Sequence, residues 1–258
     1  MARVFITGSS DGLGLLAAKL LLQQGHTVVA HARNAPRAEH TRCELPGSEA
    51  VLLGDFASLA ETSALAAAAN QLGVFDAVIH NAAIGYKEPS RKLTVDGLPQ
   101  VFQINTLAPY LLTTLMHRPS RLIYVSSELH RQGQQNLEDL TWESRRWNGN
   151  RAYSDTKFHD VLLAFAFARL WPEVLSNAME PGWVPTKMGG PRATGDLEQG
   201  YRTQVWLAVS DDPKANVTGQ YFYHCEQRPP AGATRDPALQ DQLLAACAHL
   251  AGIVPTGT

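Results

Sequence analysis

Apolar residues follow two alternating rhythms along the first half of the chain. Short continuous apolar runs at Val4–Thr7, Thr27–Ala32, Ala50–Leu53, Phe75–His80 and Arg121–Ser126 predict buried strands. Between them, Leu13–Gln24 carries helical periodicity and is closed by Gly25, and the alanine-rich run Leu59–Leu72 reads as a second helix. Helical patterns also cover about 96–117 and 153–171. Near the end, Asp236–Gly252 predicts a last helix, with Asp236 as its cap and Pro237 in its first turn. Continuous apolar strands separated by helices predict an α/β fold: a doubly wound, mostly parallel sheet covered on both faces. No low-complexity linker or internal repeat interrupts the pattern, so residues 1–258 read as a single domain. Two segments depart from it. Residues 132–150 read as an insertion, and the Gly-rich polar stretch 187–200 reads as a mobile loop, a candidate lid.

In sheets of this kind, ligands bind beyond the carboxyl ends of the strands. The chemically distinctive residues of this chain stand at those ends. Gly8 to Gly14 follow the first strand, Arg33 and Asn34 the second, Asp55 the third, Asn81 the fourth, and Ser126 and Ser127 the fifth.

Composition narrows the function classes. A chain of 258 residues, 45% hydrophobic and 18% charged, is long enough to bury a large core. A net charge of −2 gives no general pull toward nucleic acid or anionic membrane. Cys43, Cys225 and Cys247 form no CxxC pair, and their odd count cannot close a disulfide set. They read as reduced thiols of a cytoplasmic protein. No stretch has the length of a membrane span, and the start of the chain lacks the apolar core of a signal peptide. The nine histidines show no HExxH and no Cys/His ligand spacing, so no metal site is expected. His130 and His159 read as polar surface residues.

The loop Gly8, Ser9, Ser10, Asp11, Gly12, Leu13, Gly14 joins the first strand to the first helix. Glycines let a phosphate approach the backbone, and the helix N-terminus offers free N–H groups to a pyrophosphate. The spacing is GxxxGxG rather than GxGxxG, in the strand–turn–helix context that a dinucleotide site (a Rossmann fold) requires. The second strand then selects the dinucleotide. An acid at its end suits the ribose 2′-hydroxyl of NAD, and a basic group suits the 2′-phosphate of NADP. Here there is no acid, and Arg33 offers a planar fork for a phosphate. Asp11 opposes this, since its charge would repel the same phosphate. NADP is expected, with NAD as the alternative.

Tyr153 and Lys157 are four residues apart, which on a helix places phenol and ammonium on one face. An ammonium about 4 Å from a phenolate is worth roughly 4 kcal/mol, or about three pKa units at most, enough to bring a tyrosine near the working pH. The chain further contains Asn81, Ala82 and Ala83; Asn105; Ser126 and Ser127; and Pro181, Gly182, Trp183, Val184, Pro185 and Thr186. In this order, with TGxxxGxG and YxxxK, they resemble the short-chain dehydrogenase/reductase family over residues 4 to about 190.

That resemblance implies hydride transfer between NADP(H) and a carbonyl or alcohol substrate. Tyr153 would give or take the proton, Lys157 would lower its pKa and bond the nicotinamide ribose, and Ser127 would hold the substrate oxygen, with Ser126 as the nearby alternative. Asn105 would anchor a proton-relay water. Asp55 would accept from the adenine amino group beside Phe56, and Asn81, Ala82 and Ala83 would lie along the adenine ribose. Asn34 would stand beside Arg33, Pro181 and Gly182 beside the nicotinamide, and Val184 and Thr186 would bond its carboxamide.

One departure from the family pattern is the wide separation of Ser127 from Tyr153. The intervening insertion, with Trp142, Arg145, Arg146 and Trp147, is similar to the retinol-dehydrogenase-like and carbonyl-reductase-like branch. Its indoles either line a large pocket for a lipophilic substrate or pack the insertion onto the domain. It also leaves monomer or homodimer open. An alternative class is an NADP(H)-binding redox sensor or scaffold without turnover; the set Asn105, Ser127, Tyr153 and Lys157 argues against it, because a sensor needs no proton chain.

Overall fold

In a computed structural model of the chain, described here over residues 1–255, eight strands form one sheet in the order β3-β2-β1-β4-β5-β6-β7-β8. The strands are β1 (Arg3–Ile6), β2 (Thr27–Ala32), β3 (Ala50–Leu53), β4 (Ala77–His80), β5 (Arg121–Val125), β6 (Leu175–Glu180), β7 (Tyr221–Tyr223) and β8 (Glu226–Gln227). Every pairing is parallel except β7 with β8. The helices are α1 (Gly12–Gln23), α2 (Ala35–Glu44), α3 (Leu59–Gln71), α4 (Gln100–Phe102), α5 (Ala108–Leu115), α6 (Gly149–Leu170), α7 (Leu197–Val209) and α8 (Pro237–Ala251). A π-turn, Gln103–Leu107, joins α4 to α5. The expected doubly wound, mostly parallel α/β sheet is what forms. The single domain expected over 1–258 includes residues 256–258, which lie outside the described residues.

Side chains alternate across the strands, as the pleat requires. Phe5, Val29, Val78, Leu122 and Tyr124 face a core shared with α3, α5, α6 and α8. Val4, Ile6, Val28, Ala30, Ala77, Ile79, Ile123 and Val125 face a second core under α1 and α7. Full burial of each large apolar side chain stabilises the fold by about 1.5–3 kcal/mol, which fixes the sheet between its two helical layers.

The five predicted strands match β1 to β5 to within two residues at either end, and Asp236 caps α8 by accepting from the Ala238 N–H. Three strands went unpredicted. β6, with sequence LSNAME, breaks the apolar pattern, yet its polar groups are satisfied internally. Ser176 donates to the Ala164 carbonyl and Asn177 to that of Val217. β7 and β8 are too short to register as apolar runs. The predicted loop 187–200 is also shorter than expected, because Asp196 caps α7 and the helix begins at Leu197.

Candidate active site

A cleft of about 310 Å³ opens beyond the carboxyl ends of the strands, where β1 lies between β2 and β4. The structure brings most of the predicted residues to its walls: Gly8, Ser10, Asp11, Gly12, Leu13, Arg33, Asp55, Phe56, Asn81, Ala82, Ala83, Tyr153, Lys157, Pro181 and Thr186. Ser9, Gly14, Asn34, Asn105, Ser127, Gly182 and Val184 are not on those walls.

Several of these support the wall from behind. Ser9 donates to the Ile6 carbonyl and accepts from the His31 N–H, which ties the loop to β2. Gly14 leaves no room for a side chain: an added Cβ would lie 2.4 Å from Asn81 Nδ2 and 2.6 Å from the Gly8 carbonyl oxygen. Asn81 donates through Nδ2 to the Thr7 and Gly8 carbonyls, and so stitches β4 to the glycine loop. Gly8 has a φ of +66°, and a Cβ there would lie 2.8 Å from Ala82 Cα. The loop is therefore a cradle that side chains would fill, lying at the N-terminus of α1. A dinucleotide pyrophosphate fits such a place.

The end of the cleft beside β2 is more cationic than the sequence suggested. Asn34 is the cap of α2, accepting from the Arg37 N–H, and the helix it starts carries Arg37 to the cleft. Arg37 and Lys187 both pair with Asp11, at 3.1 and 2.8 Å. Burial works to raise the Asp11 pKa, but these two cations outweigh it and hold the carboxylate below its ordinary range. The anion that argued against a 2′-phosphate is thus neutralised twice. His31, in the cleft wall, accepts from the Gly8 N–H at Nδ1 and donates from Nε2 to the Gly54 carbonyl. Its ring stacks on Phe56 with centroids 4.5 Å apart. Burial lowers its pKa to about 4, so it is a neutral strut between glycine loop, β2 and β3.

At the other end, α6 presents Tyr153 and Lys157 to the cleft. The Tyr153 hydroxyl donates to the Met188 thioether at 3.8 Å, and the Ser127 side chain favours its ionised form. Ser126 instead donates to the Lys157 carbonyl, so the two serines divide their tasks. The Lys157 ammonium donates to the Val125 carbonyl and to Asp160, both at 2.8 Å. The expected downward pull of Lys157 on the phenol is present, but it does not bring the phenol below its ordinary value. Burial is the larger effect and Asp160 opposes the lysine, so the phenol stands above that value.

Asn105 lies in the π-turn with its side chain fully engaged, accepting from the Ile84 N–H and donating to the Ile84 carbonyl and to Thr156. Val184 is buried, and its carbonyl accepts from the Thr186 N–H. Thr186 in turn accepts from Gly189. Gly182, at φ +78°, packs against the Tyr223 ring.

Comparisons with known proteins bear on the family of the chain. Residues 2–138 match the family model described as short chain dehydrogenase. An uncharacterized oxidoreductase of Emericella nidulans is 46% identical, with 100% of both chains covered. The chain belongs to the short-chain dehydrogenase family. A further family member, a short-chain dehydrogenase of Gibberella zeae, is 42% identical over 98% of both chains. Among solved structures, a protein of Mycobacterium paratuberculosis superposes with a TM-score of 0.84 at 26% identity, covering 98% of this chain and 94% of that one. As a short-chain dehydrogenase the protein is an oxidoreductase that uses a nicotinamide dinucleotide and acts on a small molecule.

The insertion resolves one open choice. Trp142 and Trp147 meet edge to face at 5.4 Å and pack with Val101, Ile84 and Ala152, while the Trp147 indole donates to the Glu88 carbonyl. Neither indole reaches the cleft walls. Arg145 lies 3.8 Å over Trp142 and pairs with Asp139 and Asp155, fastening the insertion to α6. His130 and His159, expected on the surface, are buried instead. His130 donates to the Ser127 carbonyl and accepts from the Ala231 N–H, and His159 bonds Thr106.

Sequence reasoning missed Arg37, His31, Lys187, Met188 and Asp160. Arg37 alone had a usable signal: Asn34 followed by Pro36 marks a helix start, which places Arg37 in the first turn beside Arg33.

Proposed function

We propose that this short-chain dehydrogenase reduces a ketone or aldehyde with NADPH, or runs the reverse oxidation, with Tyr153 as the acid or base. The observation that carries this reading is the placement of Tyr153 and Lys157 at one end of the cleft whose other end is the glycine cradle, with Ser127 acting on the phenol from behind the wall. Bound there, the nicotinamide ring supplies the hydride chemistry. The chain's own residues do the rest. Ser127 and Tyr153 hold the substrate oxygen, and Tyr153 moves the proton at its phenolic oxygen. A phenol held above its ordinary pKa keeps a proton to give at neutral pH. Lys157 holds the ribose and keeps a positive charge under Tyr153. Asn105 acts from the π-turn, where the wider hydrogen-bond spacing loosens the helical ladder and suits its backbone to hold a relay water.

The reading assigns NADP over NAD because Arg33 and Arg37 both line the adenosine end and Asp11 is already neutralised. Asp55, Phe56, Asn81, Ala82 and Ala83 wall the adenosine half. Pro181, Gly182, Val184 and Thr186 shape the nicotinamide half, and loop 187–196 is its lid. Ile84, Ile104 and Met188 on the cleft wall suit a lipophilic substrate. Three unpaired cysteines fit the reducing cytoplasm. No helix among the described residues is long and apolar enough to cross a membrane.

A panel of ketones and aldehydes with NADPH tests the reaction, comparing wild type with Tyr153→Phe. Turnover is expected in the wild type, with a loss of at least about a hundredfold in the variant. Equal rates would overturn the mechanism. NADPH binding without turnover in either protein would favour a sensor.

A further inference from the structure

The Lys157–Asp160 pair stands apart from every other ion pair in the chain's described residues. Both side chains are only 4% exposed, whereas the remaining pairs have at least one partner substantially open to solvent. Burying two charges is costly, and an apolar pair of similar volume would often serve stability as well. The pair therefore asks for a reason beyond folding. Its position supplies one. Asp160 lies three residues beyond Lys157 on α6, and its carboxylate accepts one hydrogen bond from the ammonium while the Val125 carbonyl accepts a second. The ammonium is held 5.6 Å from the Tyr153 ring centroid.

We infer that Asp160 is a positioning residue for the proton step, holding the Lys157 ammonium in place and setting the pH at which Tyr153 exchanges its proton. This deepens the reading of Tyr153 as acid and base, and rests on it. The physical argument is one of charge. Lys157 alone would present a full positive charge to the phenol and stabilise the phenolate strongly. With Asp160 at contact distance, the phenol sees a dipole, and the net pull weakens. Both groups act on Tyr153 in these opposite senses. The other titratable groups facing the pair do not replace this effect. Tyr124 of β5 is a neutral buried phenol pushed well up by burial, and His80 of β4, which packs on it, is neutral as well. Tyr86 meets Tyr153 edge to face and opposes the phenolate only weakly.

Asp160→Asn keeps the shape and an acceptor oxygen for the ammonium while removing the negative charge. The measurement is the tyrosinate absorbance of the NADP-loaded enzyme against pH, with Tyr153→Phe subtracted, so that one phenol is followed without any substrate. Asp160→Asn is expected to lower the apparent Tyr153 pKa by about one unit, roughly tenfold more phenolate at a given pH. The acid limb of alcohol oxidation should move by the same amount. Asp160→Ser, neutral and smaller, should shift it in the same direction and serves if the asparagine variant does not fold. An unchanged or raised pKa in a folded variant overturns the inference. Unimpaired turnover by Tyr153→Phe would instead overturn the mechanism on which it rests.

Discussion

At the scale of single residues, the cofactor end is governed by steric exclusion and by charge. Gly14 is a glycine because Asn81 Nδ2 and the Gly8 carbonyl occupy the space a methyl group would take. Gly14→Ala is expected to cost about 1–3 kcal/mol of stability through forced displacement of Asn81 and to weaken cofactor binding more than tenfold. Thermal denaturation and a fluorescence titration with NADPH check the two effects separately. Arg37 acts through charge. If it holds the 2′-phosphate, Arg37→Ala removes a charge-assisted hydrogen bond of about 1.5–3 kcal/mol, some ten- to a hundredfold in NADPH affinity. NADH affinity should barely change. Equal losses for both nucleotides would show that Arg37 serves only to steady Asp11. A strand-end arginine such as Arg33 is visible in sequence; for Arg37 the sequence marks only the first turn of a helix, because its place in the cleft depends on the angle at which α2 leaves β2.

At the scale of elements, the segment after Val184 joins the two ends of the site. Lys187 reaches Asp11 on the glycine loop, and the next residue, Met188, covers the Tyr153 hydroxyl and packs on Gly85. A methionine sulfur therefore lies where a substrate oxygen would have to come. The Trp183 indole donates to the Gly189 carbonyl, which folds the segment back on itself. The Lys187 side chain is 80% exposed, and a pair that open contributes little to stability. Residues 187–196 should therefore open readily, and limited proteolysis should cut there first. Saturating NADPH is expected to slow that cleavage several-fold without changing cleavage elsewhere. A cut rate indifferent to cofactor would mean that the segment is not a lid. The sequence marked this stretch through its Gly and polar residues but overran the start of α7, since a helix capped by Asp196 looks polar at its first turn.

At the scale of the whole molecule, four histidines are buried and neutral. Burial lowers His31 and His130 to about 4, and His80 and His159 to about 3. The unfolded chain titrates these groups near 6.5, so above that value neither state binds the extra protons and stability is unaffected. As the pH falls below it, the unfolded chain gains protons that the folded chain refuses, and stability drops until the folded pKa values are reached. Three carboxylates oppose this, the buried Asp155 among them. Burial raises Asp160 to about 6 and Glu180 to about 7, so they gain protons earlier in the folded chain. Burial lowers His26 and His224 as well, so six histidines stand against three carboxylates and dominate. The melting temperature should hold between about pH 8 and 6.5 and fall steeply toward pH 4. His159→Gln should flatten part of that fall; an unchanged profile would contradict its neutral burial.

Much of the protein was legible before folding was considered. Apolar periodicity located β1 to β5 and the helices between them, because those strands are buried on both faces and leave no polar gap. The glycine spacing and the Tyr153–Lys157 interval are local, and local chemistry survives in sequence. Tertiary structure decided the rest. It paired Asp11 with Arg37 and Lys187, buried His130 and His159, turned the indoles of the insertion inward, and set Asp160 against Lys157. Each of these depends on charges or rings brought together from separate elements, or on how deeply an element is buried. Tyr153 shows the division most clearly. Its spacing from Lys157 is written in the sequence, whereas the upward shift of its phenol comes from burial and from a carboxylate whose effect appears only once α6 is packed against the sheet.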